Sequence, residues 1–184
     1  MNNTITYKKI IVIACIATIL LGIFMHFAYE LSNENILVGF LTPVNESVWE
    51  HLKLLFIPFT LFGIAFYFYT KGKFSNMFLT TVFGNVAGMF VIVTLHYLGT
   101  LIFGQTNMIY GIIIYALGVI TAYVTLYLGI YNLEFAEETA DSKTLAVCTL
   151  ALMFTLFILN TFYPIKLNIT KDPVTKTYGI HKIV

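Results

Sequence analysis

The 184-residue chain has few charged side chains and no arginine. Its ten basic residues are all lysines, and nine acidic residues leave a formal net charge of +1. Charged residues make up only 10% of the chain, against about 25% in soluble domains. A water-soluble globule with so few charges could not cover its surface, so the composition excludes a soluble enzyme. No basic patch is present, so we expect no nucleic-acid partner.

Cysteine is also scarce. The two cysteines, Cys15 and Cys148, both lie inside apolar runs, where a thiol behaves as a small hydrophobic group. The sequence therefore gives no sign of a disulfide framework or of a metal site made of thiolates.

The chain is rich in apolar residues. Hydrophobic residues make up 59% of it. A bilayer core about 30 Å thick is crossed by about 20 helical residues, and in lipid each span must satisfy its own backbone hydrogen bonds. We therefore predict an all-α membrane protein, a single integral membrane domain whose partner is the lipid bilayer. The five predicted spans cover about 10–29, 52–70, 77–103, 108–131 and 144–163.

Two segments outside the spans are long enough to have structure of their own. Residues 30–51 form a connection that is long for a membrane hairpin, and we expect a functional loop with a short helix there. The tail, residues 164–184, predicts a short hairpin, because residues 165–170 alternate and Lys171-Asp172-Pro173 is typical of a turn.

The orientation follows from the early lysines. Lys8, Lys9, Lys71 and Lys73 fall on one side of the predicted bundle, and lysines beside the first spans favour the cytoplasmic side. Over the whole chain the lysines divide equally, so the early spans decide. We expect the N-terminus to be cytoplasmic and the C-terminus, after five spans, extracytoplasmic.

Ionisable side chains gather near the extracytoplasmic face. An ionisable group in or near the hydrocarbon is costly, so it is by default a functional hypothesis. The candidate catalytic residues are Glu46, Glu50, His51 and His96. The residues expected to support them are Glu30, Asn45, Ser47, Lys53 and Asn85.

The segment from Thr42 predicts a helix start, with Thr42 as the N-cap and a proline in the first turn. Such a helix would place Glu46, Glu50 and Lys53 on one face. Carboxylates four residues apart repel each other. A lysine, the helix N-terminus, a bound cation or a raised carboxyl pKa would have to offset that repulsion.

Imidazoles and carboxylates are ordinary ligands of zinc. His26, His51 and His96, with Glu46 or Glu50, could therefore form a zinc site, although their spacing is not that of an H-E-x-x-H metalloprotease. The alternative is that the acids cap and solubilise a helix start while the histidines bond to backbone or hydroxyl groups.

A metal-free site is a further hypothesis. Ser47 and His51 are one helical turn apart and near Glu50, an arrangement that suits a nucleophile and its base. The alternative for Ser47 is a local backbone cap at the helix start.

Two segments carry a resemblance. P-V-N-E-S-V-W-E-H at residues 43–51 and D-P-V-T-K-T-Y-G-I at residues 172–180 resemble a family of small bacterial multi-pass membrane proteins of unknown function. The resemblance implies a prokaryotic plasma-membrane protein. It implies no activity and assigns no catalytic residue.

Three functions remain open at this point. The leading hypothesis is an intramembrane hydrolase or transferase that acts on a lipid or lipid-linked substrate at the outer leaflet. In it, Glu46 or Glu50 is the general base, and the histidines are metal ligands or acid–base groups. The second is an ion- or proton-coupled transporter or channel subunit, with His96 and Asn85 on the pathway. The third is a non-catalytic assembly or sensor protein, in which His26, His51 and His96 lie too far apart to share a pocket.

Overall fold

The predicted all-α membrane architecture is confirmed. The computed structural model describes residues 3–74, 76–104, 107–131 and 139–180, and it contains no β-strand in those ranges. Five helical segments are long and apolar enough to cross a membrane. The helices are α1 (Asn3–Leu31), α2 (Ile36–Gly39), α3 (Val48–His51), α4 (Lys53–Tyr69), α5 (Met77–Phe103), α6 (Met108–Tyr131) and α7 (Ala140–Phe162), followed by a 3₁₀ turn at Asn168–Thr170.

The predicted spans agree closely with the helices. Helices α5 and α6 have the predicted bounds. Helix α1 begins at Asn3 rather than at residue 10, because its polar first turns extend beyond the apolar run. Helix α7 begins at Ala140 rather than at residue 144, because the Thr139 hydroxyl accepts a hydrogen bond from Ser142 N and caps the helix there.

Four of the long helices form a ring. Helix α1 packs against α4 and α6, helix α5 packs against α4 and α6, and α7 lies outside the ring against α5. Helices α5 and α6 approach each other closely, because a Cβ atom on Gly88 would lie 2.7 Å from the Gly118 carbonyl oxygen. Small residues allow helices to pack closely in lipid, where dispersion contacts and hydrogen bonds drive association. The outer surface is apolar, with side chains such as Leu20, Phe90 and Leu152 more than half exposed.

The connection between α1 and α4 corrects the predicted helix start. The helix begins at Val48, and its N-cap is Ser47, whose hydroxyl accepts a hydrogen bond from Glu50 N. Thr42 does not cap it, because the Thr42 hydroxyl donates to Val38 O. Glu46 therefore lies in a loop, and the expectation that it shares a helix face with Glu50 and Lys53 was wrong.

The tail is only partly the predicted hairpin. Its turn is present, with one isolated antiparallel bridge between Lys171 and Tyr178. The alternating segment before the turn does not form a strand. There the Thr170 hydroxyl bonds to the backbone at Ile165 and Leu167 and holds a 3₁₀ turn.

A buried ion pair fastens the connection to the bundle. Lys53 and Glu50 are 0% and 1% exposed, and Lys53 Nζ lies 2.7 Å from Glu50 Oε2. Lys53 Nζ also donates to the Thr161 hydroxyl of α7 and to Gly39 O. The Thr161 hydroxyl lies 2.8 Å from Glu50 Oε1. With these bonds, the two charges link the connection, α4 and α7.

We expect Lys53→Met to lower the free energy of unfolding by about 3–5 kcal/mol, because it leaves the Glu50 carboxylate buried without its counter-ion. Lys9→Met, at an exposed lysine of α1, should change it little. Thermal or denaturant unfolding of the protein in detergent micelles measures both. The double variant Glu50→Leu/Lys53→Met should recover part of the loss. Equal stability of Lys53→Met and Lys9→Met would contradict the assignment.

Candidate metal centre

A cavity of about 350 Å³ lies inside the helix ring at one end of the bundle. At this end α1, α5 and α7 finish and α4 and α6 begin. We call it the end cavity. Most of its lining is apolar, and its ionisable side chains are His26, Glu46, His51 and His96. The structure therefore brings all three predicted histidines to one cavity.

Three of these side chains come together as the His–Glu cluster, His26, Glu46 and His51. His51 Nε2 lies 3.1 Å from His26 Nδ1 and 3.5 Å from Glu46 Oε2. His26 Nε2 lies 3.9 Å from Glu46 Oε1. One ligand atom from each of the three residues can be chosen so that all lie within 4.8 Å of one another. This cluster joins α1, the loop and α3, which are distant in the sequence.

The backbone orients His51 within the cluster. His51 Nδ1 lies 2.8 Å from the Ser47 carbonyl oxygen. A carbonyl oxygen only accepts, so Nδ1 carries the proton and donates it to that bond. In the neutral ring Nε2 is then the acceptor, so His26 Nδ1 donates the hydrogen bond at 3.1 Å, and a metal ion would take the place of that proton. A carbonyl that holds the second ring nitrogen in this way is the usual outer partner of a metal-binding histidine.

The distances suit a tetrahedral ion. Zinc binds imidazole nitrogen at about 2.0–2.1 Å, so two ligand atoms of a tetrahedral site stand about 3.3 Å apart. The separations of 3.1 Å and 3.5 Å around His51 Nε2 lie on either side of that value, whereas the His26–Glu46 contact is longer, at 3.9 Å, and involves His26 Nε2. Two imidazoles and one carboxylate would leave a fourth position open, as in catalytic zinc sites.

The tail holds Glu46 in place. Glu46 N donates to Asp172 Oδ2 at 3.4 Å, and the neighbouring Asn45 side chain donates to Gly179 O at 3.0 Å. Pro173 and Val174 line the end cavity beside the cluster. The sequence reasoning did not assign these tail residues to the site. Their only signal was the D-P-V-T-K-T-Y-G-I segment, which carried the family resemblance.

Asp172 organises this part of the tail. Burial raises the pKa of its carboxyl group, but hydrogen bonds from the backbone of Val174, Thr175 and Glu46 outweigh burial and hold the pKa below its ordinary value. A lowered pKa in the folded state makes the carboxylate stabilising at any pH above its unfolded pKa of about 3.9. That contribution is lost only when the pH falls through the lowered folded value, so the tail stays fastened at neutral pH.

His96 lies on the α5 wall of the end cavity and is half-buried. His96 is not among the three residues whose ligand atoms converge.

Tyr115 forms part of the cavity wall, and the sequence reasoning missed it. Its hydroxyl lies 2.8 Å from Thr18 O and 3.2 Å from Leu54 O, so it ties α6 to α1 and α4. Gly22 leaves room for this ring, because a Cβ there would lie 1.9 Å from the hydroxyl oxygen. On α1, α5 and α6, the residues that line the cavity go no deeper into the bundle than Gly22, Ile92 and Tyr115.

The other predicted site residues lie elsewhere. Glu50 and Lys53 form the buried ion pair and do not line the end cavity. Asn85 is buried deeper in the bundle, where its amide donates to the Thr60 hydroxyl and to Thr81 O. Glu30 is exposed at the end of α1.

Comparison with known proteins identifies the family. The family of unknown function DUF6512 matches residues 1–180. The chain belongs to this family. The expected membership of an uncharacterised family is thus confirmed. No curated protein and no solved structure matches this DUF6512 member.

Asp172→Asn should loosen the tail at the end cavity of this DUF6512 member. Hydrogen bonds to a charged group contribute about 1.5–3 kcal/mol, so local opening should become about ten- to a hundredfold more frequent. Hydrogen exchange of the backbone amides of Glu46, Val174 and Thr175 measures this. The matched control is Asp141→Asn at the exposed start of α7. Unchanged exchange at these amides would argue against the fastening role.

Proposed function

We propose that the chain is a metal-dependent intramembrane hydrolase or transferase in which the His–Glu cluster binds zinc. The observation that carries the proposal is the convergence of His51 Nε2 with His26 Nδ1 and Glu46 Oε2 at 3.1 Å and 3.5 Å. Zinc held by these three side chains would supply a nucleophile near neutral pH, because the ion lowers the pKa of water. The cluster is the one group of three or more such ligands among the described residues.

Glu46 suits the cluster better than Glu50. The Glu46 side chain is 49% exposed and lines the end cavity. Glu50 is wholly buried and its charge is matched by Lys53. We therefore assign Glu46 to the site and Glu50 to the support of the fold. The Ser47 hydroxyl caps α3, which favours its local role over that of a nucleophile.

His96 is the proposed acid–base group. It lines the same cavity as the cluster but lies outside the converging ligand set. An imidazole exchanges protons near neutral pH, so it can donate to a leaving group or accept a proton from an incoming one. A positioned acid or base of this kind contributes about 10²–10⁴-fold to a rate.

The substrate we propose is a lipid or a lipid-linked molecule. The end cavity is mostly apolar and lies within spans long enough to cross a bilayer. His96 is seven residues before the end of α5, which places it about 10 Å below that end by the helical rise. With the N-terminus in the cytoplasm, as the early lysines favour, the cavity faces the outer leaflet of a prokaryotic plasma membrane.

Three observations favour an enzyme over the other functions considered. A transporter needs a route to both sides, whereas the lining of the end cavity goes no deeper into the bundle than Gly22, Ile92 and Tyr115. Asn85 lies apart from that cavity. A non-catalytic scaffold has no need for three histidines around one cavity, yet His26, His51 and His96 all line it.

Zinc binding tests the cluster directly. The purified protein in detergent should bind one zinc ion, and His51→Ala should weaken binding by about a hundredfold, because one of three ligands is lost. Isothermal titration with zinc measures both values. Glu34→Gln, at an exposed acid near the same end of the bundle, is the control and should bind as the unaltered protein does. Equal affinities in the two variants would exclude the cluster as the zinc site.

Activity tests the role of His96. His96→Gln should keep its zinc but lower turnover by about 10²–10⁴-fold, because it cannot transfer a proton. Mass spectrometry of a bacterial lipid extract, incubated with the zinc-loaded protein in nanodiscs, measures substrate loss and product gain. Tyr97→Phe, at the exposed neighbour, should act as the unaltered protein does. Undiminished turnover in His96→Gln would remove His96 from the reaction.

A further inference from the structure

We propose that one hydrocarbon chain of a membrane lipid enters the end cavity sideways, through an opening between α1 and α6. The proposal rests on the proposed function, because the cavity is the one that carries the His–Glu cluster. It adds the route of entry and the part of the substrate that the apolar lining binds.

The first observation is that α1 and α6 are in contact deeper in the bundle. Tyr115 of α6 donates to Thr18 O of α1, and the two helices meet again where the Thr18 hydroxyl lies 2.8 Å from the Tyr123 hydroxyl. At Gly22 there is no room even for a methyl group against Tyr115. The helices are therefore closed against each other below the cavity.

One helical turn closer to the end of the bundle that holds the cavity, the face of α6 that carries Tyr115 is open. Gly111 precedes Tyr115 by four residues and lines the cavity, yet a Cβ atom built on it meets nothing within 4 Å. Residues four apart share a helix face. The two helices thus separate within one turn, and the gap between them is part of the end cavity.

The gap reaches the outer surface of the bundle. Three cavity-lining residues, Phe27 of α1 and Met108 and Ile112 of α6, are 38%, 60% and 37% exposed. They lie within the segments that are long and apolar enough to span a membrane. Side chains that line a cavity and also face the bilayer mark an opening to lipid.

The interior of the gap fits a hydrocarbon chain. Beyond the opening, the cavity is lined by buried apolar groups, including Ile92 and Ile114. The histidines lie one helical turn nearer the end of the bundle, since His96 follows Ile92 by four residues and His26 follows Gly22 by four. An amphiphile would place its polar group at the cluster and its chain along α6. A transmembrane helix about 10 Å wide would not fit a cavity of about 350 Å³.

Photolabelling tests the route. The protein is placed in phosphatidylcholine nanodiscs that contain phosphatidylcholine with a diazirine at the end of one acyl chain, and labelled residues are found by mass spectrometry. Ile92 and Tyr115 are only 4% and 7% exposed, so lipid around the protein cannot reach them except through the cavity. We expect both residues to be labelled in the unaltered protein.

Gly111→Phe should reduce labelling of Ile92 and Tyr115 by about tenfold, because the new ring takes the space of the chain. Gly111→Leu, a smaller change, should reduce it less. Ile113→Phe is the matched control, because Ile113 is on the same helix, 51% exposed and outside the cavity lining. It should leave the labelling unchanged.

The result that would overturn the proposal is an absence of label at Ile92 and Tyr115 in the unaltered protein, or equal labelling in Gly111→Phe and Ile113→Phe. Zinc titration of the same samples separates this from the proposed function. Labelling that persists in His51→Ala without zinc supports the opening by itself, whereas zinc binding without labelling overturns the opening and leaves the metal site.

Discussion

The buried ion pair between Lys53 and Glu50 is the interaction on which the site depends. Charges in a helix bundle are costly unless they are matched and hydrogen-bonded. Here they are matched by each other and by the Thr161 hydroxyl. The pair fixes the start of α4 against α7, and α3 immediately precedes it. With Glu50 turned inward, its neighbour His51 faces the end cavity. Neighbouring residues therefore have different roles: Glu50 stabilises the fold, and His51 lines the cavity.

Ser47 supports the site through two hydrogen bonds. Its hydroxyl caps α3 by accepting from Glu50 N, and its carbonyl oxygen accepts from His51 Nδ1. One buried residue therefore sets both the helix start and the orientation of the imidazole. The tail then closes the arrangement, because Asp172 accepts from Glu46 N. The Ser47 carbonyl thus orients the His51 ring, and the Asp172 side chain fixes the backbone of Glu46; such outer contacts pre-organise metal and catalytic sites.

The sequence predicted the five spans well, because the apolar runs and their flanking polar residues are strong signals in lipid. It also gathered His26, His51 and His96 at one end of the bundle. A lysine was among the groups expected to offset the carboxylates, and Lys53 does pair with Glu50. The sequence did not show that Glu46 lies in a loop, because the helix start was placed at Pro43 instead of Val48. An Asx turn decides this, in which Ser47 N donates to the Asn45 side chain. The contact between Glu46 and Asp172 of the tail could not be predicted from local sequence patterns either, because the two residues are 126 positions apart.

Whether His26, Glu46 and His51 bind one zinc ion together is measured by X-ray absorption at the zinc edge of the zinc-loaded protein. We expect a four-coordinate ion with nitrogen and oxygen neighbours at about 2.0–2.1 Å and the outer-shell scattering of two imidazole rings. A spectrum without imidazole scattering, or one of a fully hydrated ion, would contradict this expectation.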